Sequence, residues 1–530
     1  MPAPPDFTLR LIDRIPADAA VVVHAGLDRS ALEAYARVNP AAGIVTWEDA
    51  RTAAPGSVDA VVFNLPIGVP ERAAGAIARA AAMLRPGGIL LYRCRNAEFH
   101  EVLAGRLGGR VPPQSTYLPE SAAGLAATAG LSVGAAIADE EDHEGAAAFI
   151  ARHEDALEAL GVSARSRKLR LAGRSFLIQA VQGAMPPALN IHARLRNPGV
   201  GANAAMSEVR VERPLRMVAA MPKVNIRLDR DPAPLNPPER PRSIFIHQRP
   251  ILRRPWGLDL LRQLNARNFV TVMEFDDHPS YWPDIAAHGY LTFAGPHAVQ
   301  TSTDALAEEL RRHNPNVVVF RNDIAELPPP RRYQPGPVRL FYGSLNRAEA
   351  MRPLTDAMNR VLRSTKVPTA TAVLLDREFH DRLETRHKSY SEMVDQARHR
   401  TLVGQADIVL LPLDDTVFNR CKSDLSFIEA AARGAVVLAS PVVYGATVVD
   451  GETGMLFRTP EEFAAKLRLL IEDGELRRKI AGAAYAYVRD HRLMKDQFRR
   501  RYEWYLSLLD RKAELDAGVR ERLPDFDAAP

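Results

Sequence analysis

The chain has 530 residues, too many for one hydrophobic core, and at roughly 150 residues per domain it should hold about three. Its 46% hydrophobic and 25% charged residues are those of an ordinary globular protein, and a formal net charge of +5 over this length gives no support for dedicated nucleic-acid binding. Two cysteines far apart, Cys94 and Cys421, exclude a disulfide framework or a zinc cluster and suit a reducing compartment. The opening MPAPPDFTLRLIDRIP lacks the apolar core of a signal peptide, and no apolar run reaches the ~20 residues that span a bilayer. A cytoplasmic protein is expected, with peripheral contact at the inner face of a membrane left open.

In chain order, residues 20–24, 44–47, 58–63 and 89–93 read as strands, with helical patterns at 30–37 and 70–84 between them. Strands alternating with helices predict a parallel sheet covered on both faces, here a first domain over 1–155. Residues 156–188 read as a junction, charged at SRSRKLR and broken at GAMPP. A second α/β pattern over 189–330 has strands at 189–195, 224–228, 243–247, 270–275 and 317–320. The proline-rich ELPPPRRYQPGP, 326–337, is extended and reads as a linker. A third pattern over 336–480 has strands at 338–342, 371–375, 408–412, 436–440 and 455–457. A long basic helical region follows, with 481–512 crossing back over the lobes. A polar tail at 513–530 is expected to lack order. The fold class is α/β, and the second and third patterns should face each other across a cleft at the carboxyl ends of their sheets, where such sheets bind ligands.

Residues 406–440, ADIVLLPLDDTVFNRCKSDLSFIEAAARGAVVLAS, carry the most chemistry. A buried strand ends at Pro412, and Ser423 is a good N-cap for a helix running to about Arg433. Arg420 and Lys422 precede that helix, and cations beside its open amide groups suit a diphosphate. Glu429, two turns in, can accept two hydrogen bonds from a ribose diol. A capped surface helix with solvated charges would show the same letters.

This segment resembles the donor-site helix of the retaining GT-B glycosyltransferases often called glycosyl transferases group 1. Glu429 matches the second acid of that family's E-x7-E pattern, and the first acid falls on Cys421. Lys422, Ser423 and Asp424 are the neighbours able to replace it. The resemblance extends over roughly 190–508, including YGATVVDGETGMLF at 444–457, VQTSTDALAEELRRHNPNVVVFRN at 299–322 and LFYGSLNRAEAMRP at 340–353. It implies a nucleotide-sugar donor, retention of configuration, and a basic residue after the strand at 338–342 gripping the donor phosphates, with Arg347 first and Arg352 second. Asn419, Arg420, Gly343 and Thr447 complete the expected donor set.

In the second pattern, RNPGVGANAAMSEVRVERP at 196–214 places Gly199 and Gly201 in a loop after the first strand, fit for phosphate or acceptor or for a plain turn. FDDHP ends another strand. Asp276 and Asp277 can hold acceptor hydroxyls there, and Asp277 can act as a base. His278 and His247 lie near strand ends as lesser candidates.

Residues 20–96 resemble a class I S-adenosylmethionine methyltransferase. VVVHAGLDRSAL stands at its glycine-rich motif, Glu48 at its ribose-binding acid, and VDAVVFNLP and MLRPGGILLY at its later strands. Only Gly26 of the expected glycines is present, so a retired fold is favoured over an active one. The acidic DEEDHEG, 139–145, reads as a solvated loop, and REFHDRLETRHKSY, 377–390, as a charged surface helix. No metal site is expected, and the transferase needs no cofactor. The reading is transfer of a sugar from a nucleotide sugar to a glycan, lipid-linked or protein acceptor. The alternatives are S-adenosylmethionine-dependent methylation of a glycan and a non-catalytic nucleotide-sugar or glycan-binding protein.

Overall fold

The structure is a computed structural model that describes residues 9–110, 115–154, 170–196, 206–230, 243–343, 345 and 347–527. The chain forms two compact units. One comprises Leu9–Ala188 with Ala219–Val224, and the other Leu189–Val218 with Asn225–Pro530.

The first unit is built on a seven-stranded sheet. Its order is Gly43–Thr46, Val21–Ala25, Val58–Phe63, Leu84–Asn96, Gly173–Gln182 and Leu131–Glu141, with Thr116–Tyr117 pairing Leu84–Asn96. All six residues of Val58–Phe63 are buried, as a central strand covered on both faces requires. Helix Pro70–Met83 starts with proline in its first turn, where no amide partner is lost, and buries Ala73, Ile77, Ala80 and Ala81 on one face. Two expectations are corrected. The segment 156–188 is not merely a junction, because Gly173–Gln182 lies within the sheet. That strand also runs antiparallel to both neighbours, so the sheet is not wholly parallel. Its run FLIQAV is apolar enough to be central, and the charged stretch before it hid that.

The second unit holds two six-stranded sheets. The order of the first is Val317–Val319, Ala298–Thr301, Phe269–Glu274, Ser243–Gln248, Leu189–Leu195 and Val224–Arg230. Four of its pairings are parallel. The order of the second is Lys388–Ser391, Thr369–Leu374, Val338–Gly343, Ile408–Leu411, Val436–Ala439 and Met455–Leu456, parallel throughout. In that sheet the winding reverses between Val338–Gly343 and Ile408–Leu411. The carboxyl ends of those two strands therefore flank the crevice at which such sheets bind ligands. The stretch at 377–390 is not one helix. It splits into helix Arg377–Arg382 and the edge strand Lys388–Ser391, whose polar residues suit an edge with one face in water.

The C-terminal helices return across the unit. Gly474–His491 packs Ala484 and Val488 against Phe427 and Ile428 of the second sheet's side. Phe498–Asp510 comes back to the first sheet, where the Tyr505 hydroxyl donates to Gln300 Oε1 at 2.8 Å. The expected loose tail is a helix, Lys512–Arg522, and Val519, Leu523 and Phe526 enter the core containing Leu258 and Phe293. Three apolar residues at 515, 519 and 523 are enough to bind a short helix of otherwise polar composition. Among the described residues no helix is long and apolar enough to cross a membrane.

Candidate functional site

A cavity of about 270 Å³ lies within the second unit, between the carboxyl ends of its two sheets. Its walls include Arg249, Asp276 and Asp277 from the first sheet's side. Gly343, Arg347, Lys422, Ser423 and Glu429 come from the second. Residues read from distant parts of the sequence thus meet in one place.

Arg347 is held by three contacts. Nη2 donates to the Tyr444 hydroxyl at 2.8 Å and to Ser426 Oγ at 3.1 Å, and Nη1 donates to the Pro412 carbonyl at 3.3 Å. These bonds fix a guanidinium at the start of helix Leu425–Ala431. Lys422 forms no ion pair among the described residues, and its ammonium sits 5.0 Å from the Phe418 ring centroid. Burial, with Arg347 nearby, pushes its pKa down to about 8, and Asp277 opposes the shift. A desolvated, unpaired cation beside a second cation attracts an anion with more than one charge. The candidate Arg352 pairs instead with Glu349 and stays outside the cavity.

The loop before the helix differs from expectation at several residues. Ser423 does not cap the helix. Asp424 occupies that position without a side-chain cap bond, and the Ser423 hydroxyl accepts from Asn322 Nδ2 at 2.7 Å. Both carboxylate oxygens of Asp424 are taken by Arg492, at 2.5 and 2.8 Å, so Asp424 is committed to holding the loop rather than to the cavity. Arg420 pairs with Asp415 in solvent. Asn419 donates to the Asp414 carbonyl inside its own loop, and Thr447 follows Tyr444 without lining the cavity. Cys421 lies buried with Leu306 and Leu310 of the first sheet's helix, and a carboxylate in that apolar contact would be desolvated. The first acid of the family pattern therefore has no place there, and Lys422 and Ser423 are the neighbours that reach the cavity.

Glu429 is 9% exposed, on the cavity side of the helix. Gln396 Nε2 donates to its Oε1 at 3.3 Å. His399 stands alongside, its pKa lowered by burial against the opposing pull of Glu429. Across the cleft Arg249 Nη2 donates to Asp277 Oδ2 at 2.8 Å, and Arg249 Nε bonds Asp276 Oδ1. Burial disfavours the Arg249 charge, and the two carboxylates more than offset it. Burial, then the neighbouring Asp276, pushes Asp277 up to about 6, against Arg249 and Lys422. Gly199 and Gly201 lie outside the described residues. His278 accepts from Ser280 in a turn, and His247 packs edge-on against Phe245 away from the cavity.

Among the lining residues, Arg249, Asn322, Gln396 and His399 are polar groups that carried no sequence signal. Arg249 was visible as the first residue of RPILRRP after a strand, but nothing in that run distinguishes one arginine from another. Arg249 has φ 47°, a left-handed backbone uncommon for a residue with a side chain.

The corresponding end of the first unit's sheet is different. A Cβ added at Gly26 would fall 2.4 Å from Leu65 Cγ, so the leucine covers the backbone that a nucleotide cofactor would approach. Leu27 is buried, and Asp28 caps helix Arg29–Val38 through Ala31 N. At 139–145, Asp142 bonds His100 and caps a helix. Among the described residues no three metal-binding side chains converge.

Residues 336–473 match the family model described as Glycosyl transferases group 1. No curated protein is similar enough in sequence to count as a relative. Among solved structures, Anabaena HepE in complex with UDP-glucose is 13% identical over 60% of this chain and 99% of its own, with TM-score 0.44. A mutant of S. aureus TarM in complex with fondaparinux, α-GlcNAc-glycerol and UDP is 11% identical over 50% of this chain, with TM-score 0.40. The pneumococcal O-GlcNAc transferase GtfA in complex with UDP and GlcNAc is 14% identical over 51% of this chain, with TM-score 0.38. The match spans 56% of the TarM chain and 57% of the GtfA chain. The second unit, two Rossmann-like sheets facing across a cleft, has the GT-B architecture, and the segment that matches the group 1 glycosyltransferase model carries the second of those sheets.

Proposed function

We infer that the chain transfers a sugar from a nucleoside-diphosphate sugar to a glycan, lipid-linked or protein acceptor, with retention of configuration. One observation carries this reading: Arg347, Lys422 and Glu429 line a single cavity at the carboxyl ends of two facing sheets. Arg347 and Lys422 take the diphosphate, whose charge grows as the bond from the anomeric carbon to the phosphate oxygen breaks. Glu429 accepts hydrogen bonds from the ribose hydroxyls, and Ser423 and Gly343 border the donor. The acceptor oxygen bonds to the anomeric carbon on the face that the diphosphate leaves, as retention requires, and its proton passes to Asp277. Two fixed cations neutralise the leaving group without a divalent ion. Closure of the cleft excludes water that would hydrolyse the donor.

The sheet order of the first unit, with its antiparallel strand second from one edge, supports descent from a class I methyltransferase fold. Its residues do not fit S-adenosylmethionine, because Leu65 lies where the methionine portion would pass Gly26. That unit is read as a scaffold or as part of acceptor recognition.

The test is a panel of UDP-, GDP-, ADP- and TDP-sugars, assayed for release of nucleoside diphosphate. One donor should turn over, and Glu429→Ala should raise its KM at least tenfold. Turnover of no donor, with S-adenosylmethionine consumed instead, would sink the reading.

A further inference from the structure

The helix Gln396–Gln405 forms one wall of the cavity and is poorly anchored for that task. Of its ten residues only Leu402 and Val403, both in the second half, are buried. The first half carries Gln396 and His399, which line the cavity, and Gln396 donates to Glu429. Asp395 caps the first turn by accepting from Arg398 N at 2.7 Å, but a cap holds a helix together without fixing where it lies. A helix end without apolar contacts needs another tie if its side chains are to keep their place against a ligand.

Arg400 supplies that tie. It stands four residues after Gln396, on the same helix face. Its Nη2 lies 2.8 Å from Oε2 of Glu208, which belongs to the first sheet's side of the cleft. Glu208 opens the turn Glu208–Glu212, and that turn is fixed by Arg210, which is 1% exposed and bonds Glu274, Asn322 and the Phe320 carbonyl. Arg213 Nε donates to the other Glu208 oxygen at 2.6 Å. Burial disfavours the Glu208 charge, and Arg213 and Arg400 more than offset it. The Arg400 and Glu208 side chains are 25% and 27% exposed. At that exposure an ion pair adds little to global stability, so its effect belongs to geometry rather than to the melting temperature.

We propose that Arg400 and Glu208 are positioning residues for the donor's ribose: their ion pair, made from one lobe to the other, holds Gln396 against Glu429 and so fixes the carboxylate that meets the ribose hydroxyls. This rests on the donor reading of the same cavity. Neither residue lines the cavity, so both act through Gln396. Arg347, on the diphosphate side, is held by Tyr444 and Ser426, which the pair does not touch. Loss of the pair therefore weakens what the ribose contributes to binding and spares what the diphosphate contributes.

The experiment uses the full chain and calorimetric titration with UDP, GDP, ADP and TDP, and with pyrophosphate, which has the charges but no ribose. Whichever nucleotide binds the wild type should bind Arg400→Gln and Glu208→Gln about fivefold more weakly, the size of one misplaced hydrogen bond. The double variant should be no weaker than either single one, because both remove the same tie. Arg400→Lys, which keeps the charge, should recover most of the affinity. Arg213→Gln, which leaves the pair between the lobes in place, should bind as the wild type does. Pyrophosphate should bind every variant as it binds the wild type. Should Arg400→Gln not fold, Glu208→Gln gives the same reading from the other lobe. Equal weakening of nucleotide and pyrophosphate, which a general loss of structure would produce, overturns the proposal. So does unchanged nucleotide affinity in the single variants, or a double variant whose losses add. Binding of no nucleotide by the wild type defeats the donor reading and the proposal with it, and that failure is recognised before any variant is compared.

Discussion

Two sheets of this chain end in the same kind of place and do opposite things with it. At the carboxyl end of the sheet in the first unit, Leu65 lies over Gly26 and Asp28 spends its carboxylate on a helix cap. At the carboxyl end of the C-terminal sheet, Lys422 has no ion-pair partner among the described residues, and Arg347 is held in position by Tyr444 and Ser426. The fold supplies a crevice in both cases. A ligand site needs, in addition, charged groups whose partners are missing and a framework that keeps them so.

That framework can be broken at Arg492. Its guanidinium is 4% exposed and bonds Asp323, Asp424 and the Asn322 carbonyl, tying the chain just before the linker to the Lys422 loop. Arg492→Ala leaves buried carboxylates uncompensated. It should cost about 3–5 kcal/mol of the stability of the second unit. Urea unfolding followed by Trp256, Trp282 and Trp504 fluorescence should shift, while a Trp47 signal from the first unit should not.

Lys422→Ala tests the charge itself. With one of two cations lost from the departing diphosphate, kcat should fall about 10²–10³-fold, the usual size for removing one such group. Steady-state assays with saturating donor check this. Glu48→Ala, at the corresponding end of the first unit's sheet, should leave kcat within twofold. A loss of equal size there would erase the contrast between the two sheet ends.

The acidity of the same groups gives a smaller, sharper effect. Lys422 is charged below about 8 and loses its proton as pH rises through that value. Asp277 is a carboxylate only above about 6. The profile of kcat/KM should therefore fall on both sides of a plateau between roughly 6 and 8, about tenfold per pH unit. Bound diphosphate favours the charged lysine, so the alkaline limb of kcat should lie higher than that of kcat/KM. Asp277→Asn should remove the acid limb and leave the alkaline one.

The contrast also marks what the sequence could show. Strands such as Val58–Phe63 and Leu189–Leu195 were legible because a central parallel strand is one unbroken apolar run. Lys422 and Glu429 were legible from their places before and within one helix, and Arg347 through the family resemblance of the strand it follows. Gly173–Gln182 was lost because antiparallel insertion leaves no periodic mark and charged residues precede it. Asp424 was misread for a related reason. Its partner Arg492 is 68 residues away, and no spacing announces a contact made by tertiary packing. Arg249, Gln396 and His399 escaped in the same way. Cys421 looked like a lost acid, and the structure gives the reason: the position is a contact between lobes, where an apolar side chain packs.

The smallest predicted effect concerns Leu65. The side chain is 63% exposed, so Leu65→Ala should change stability by no more than about 0.5 kcal/mol. It nonetheless clears the space over Gly26. If that leucine alone silences the first unit, S-adenosylmethionine should raise the melting temperature of Leu65→Ala but not of wild type. The expected result is no shift in either protein. Leu27 is buried and Asp28 is committed to Ala31, so uncovering one glycine restores neither a flexible loop nor free backbone donors for the cofactor. A shift in the variant would mean that a single side chain separates the silent sheet end from a working one, and the difference between the two ends would then be one of access rather than of charge.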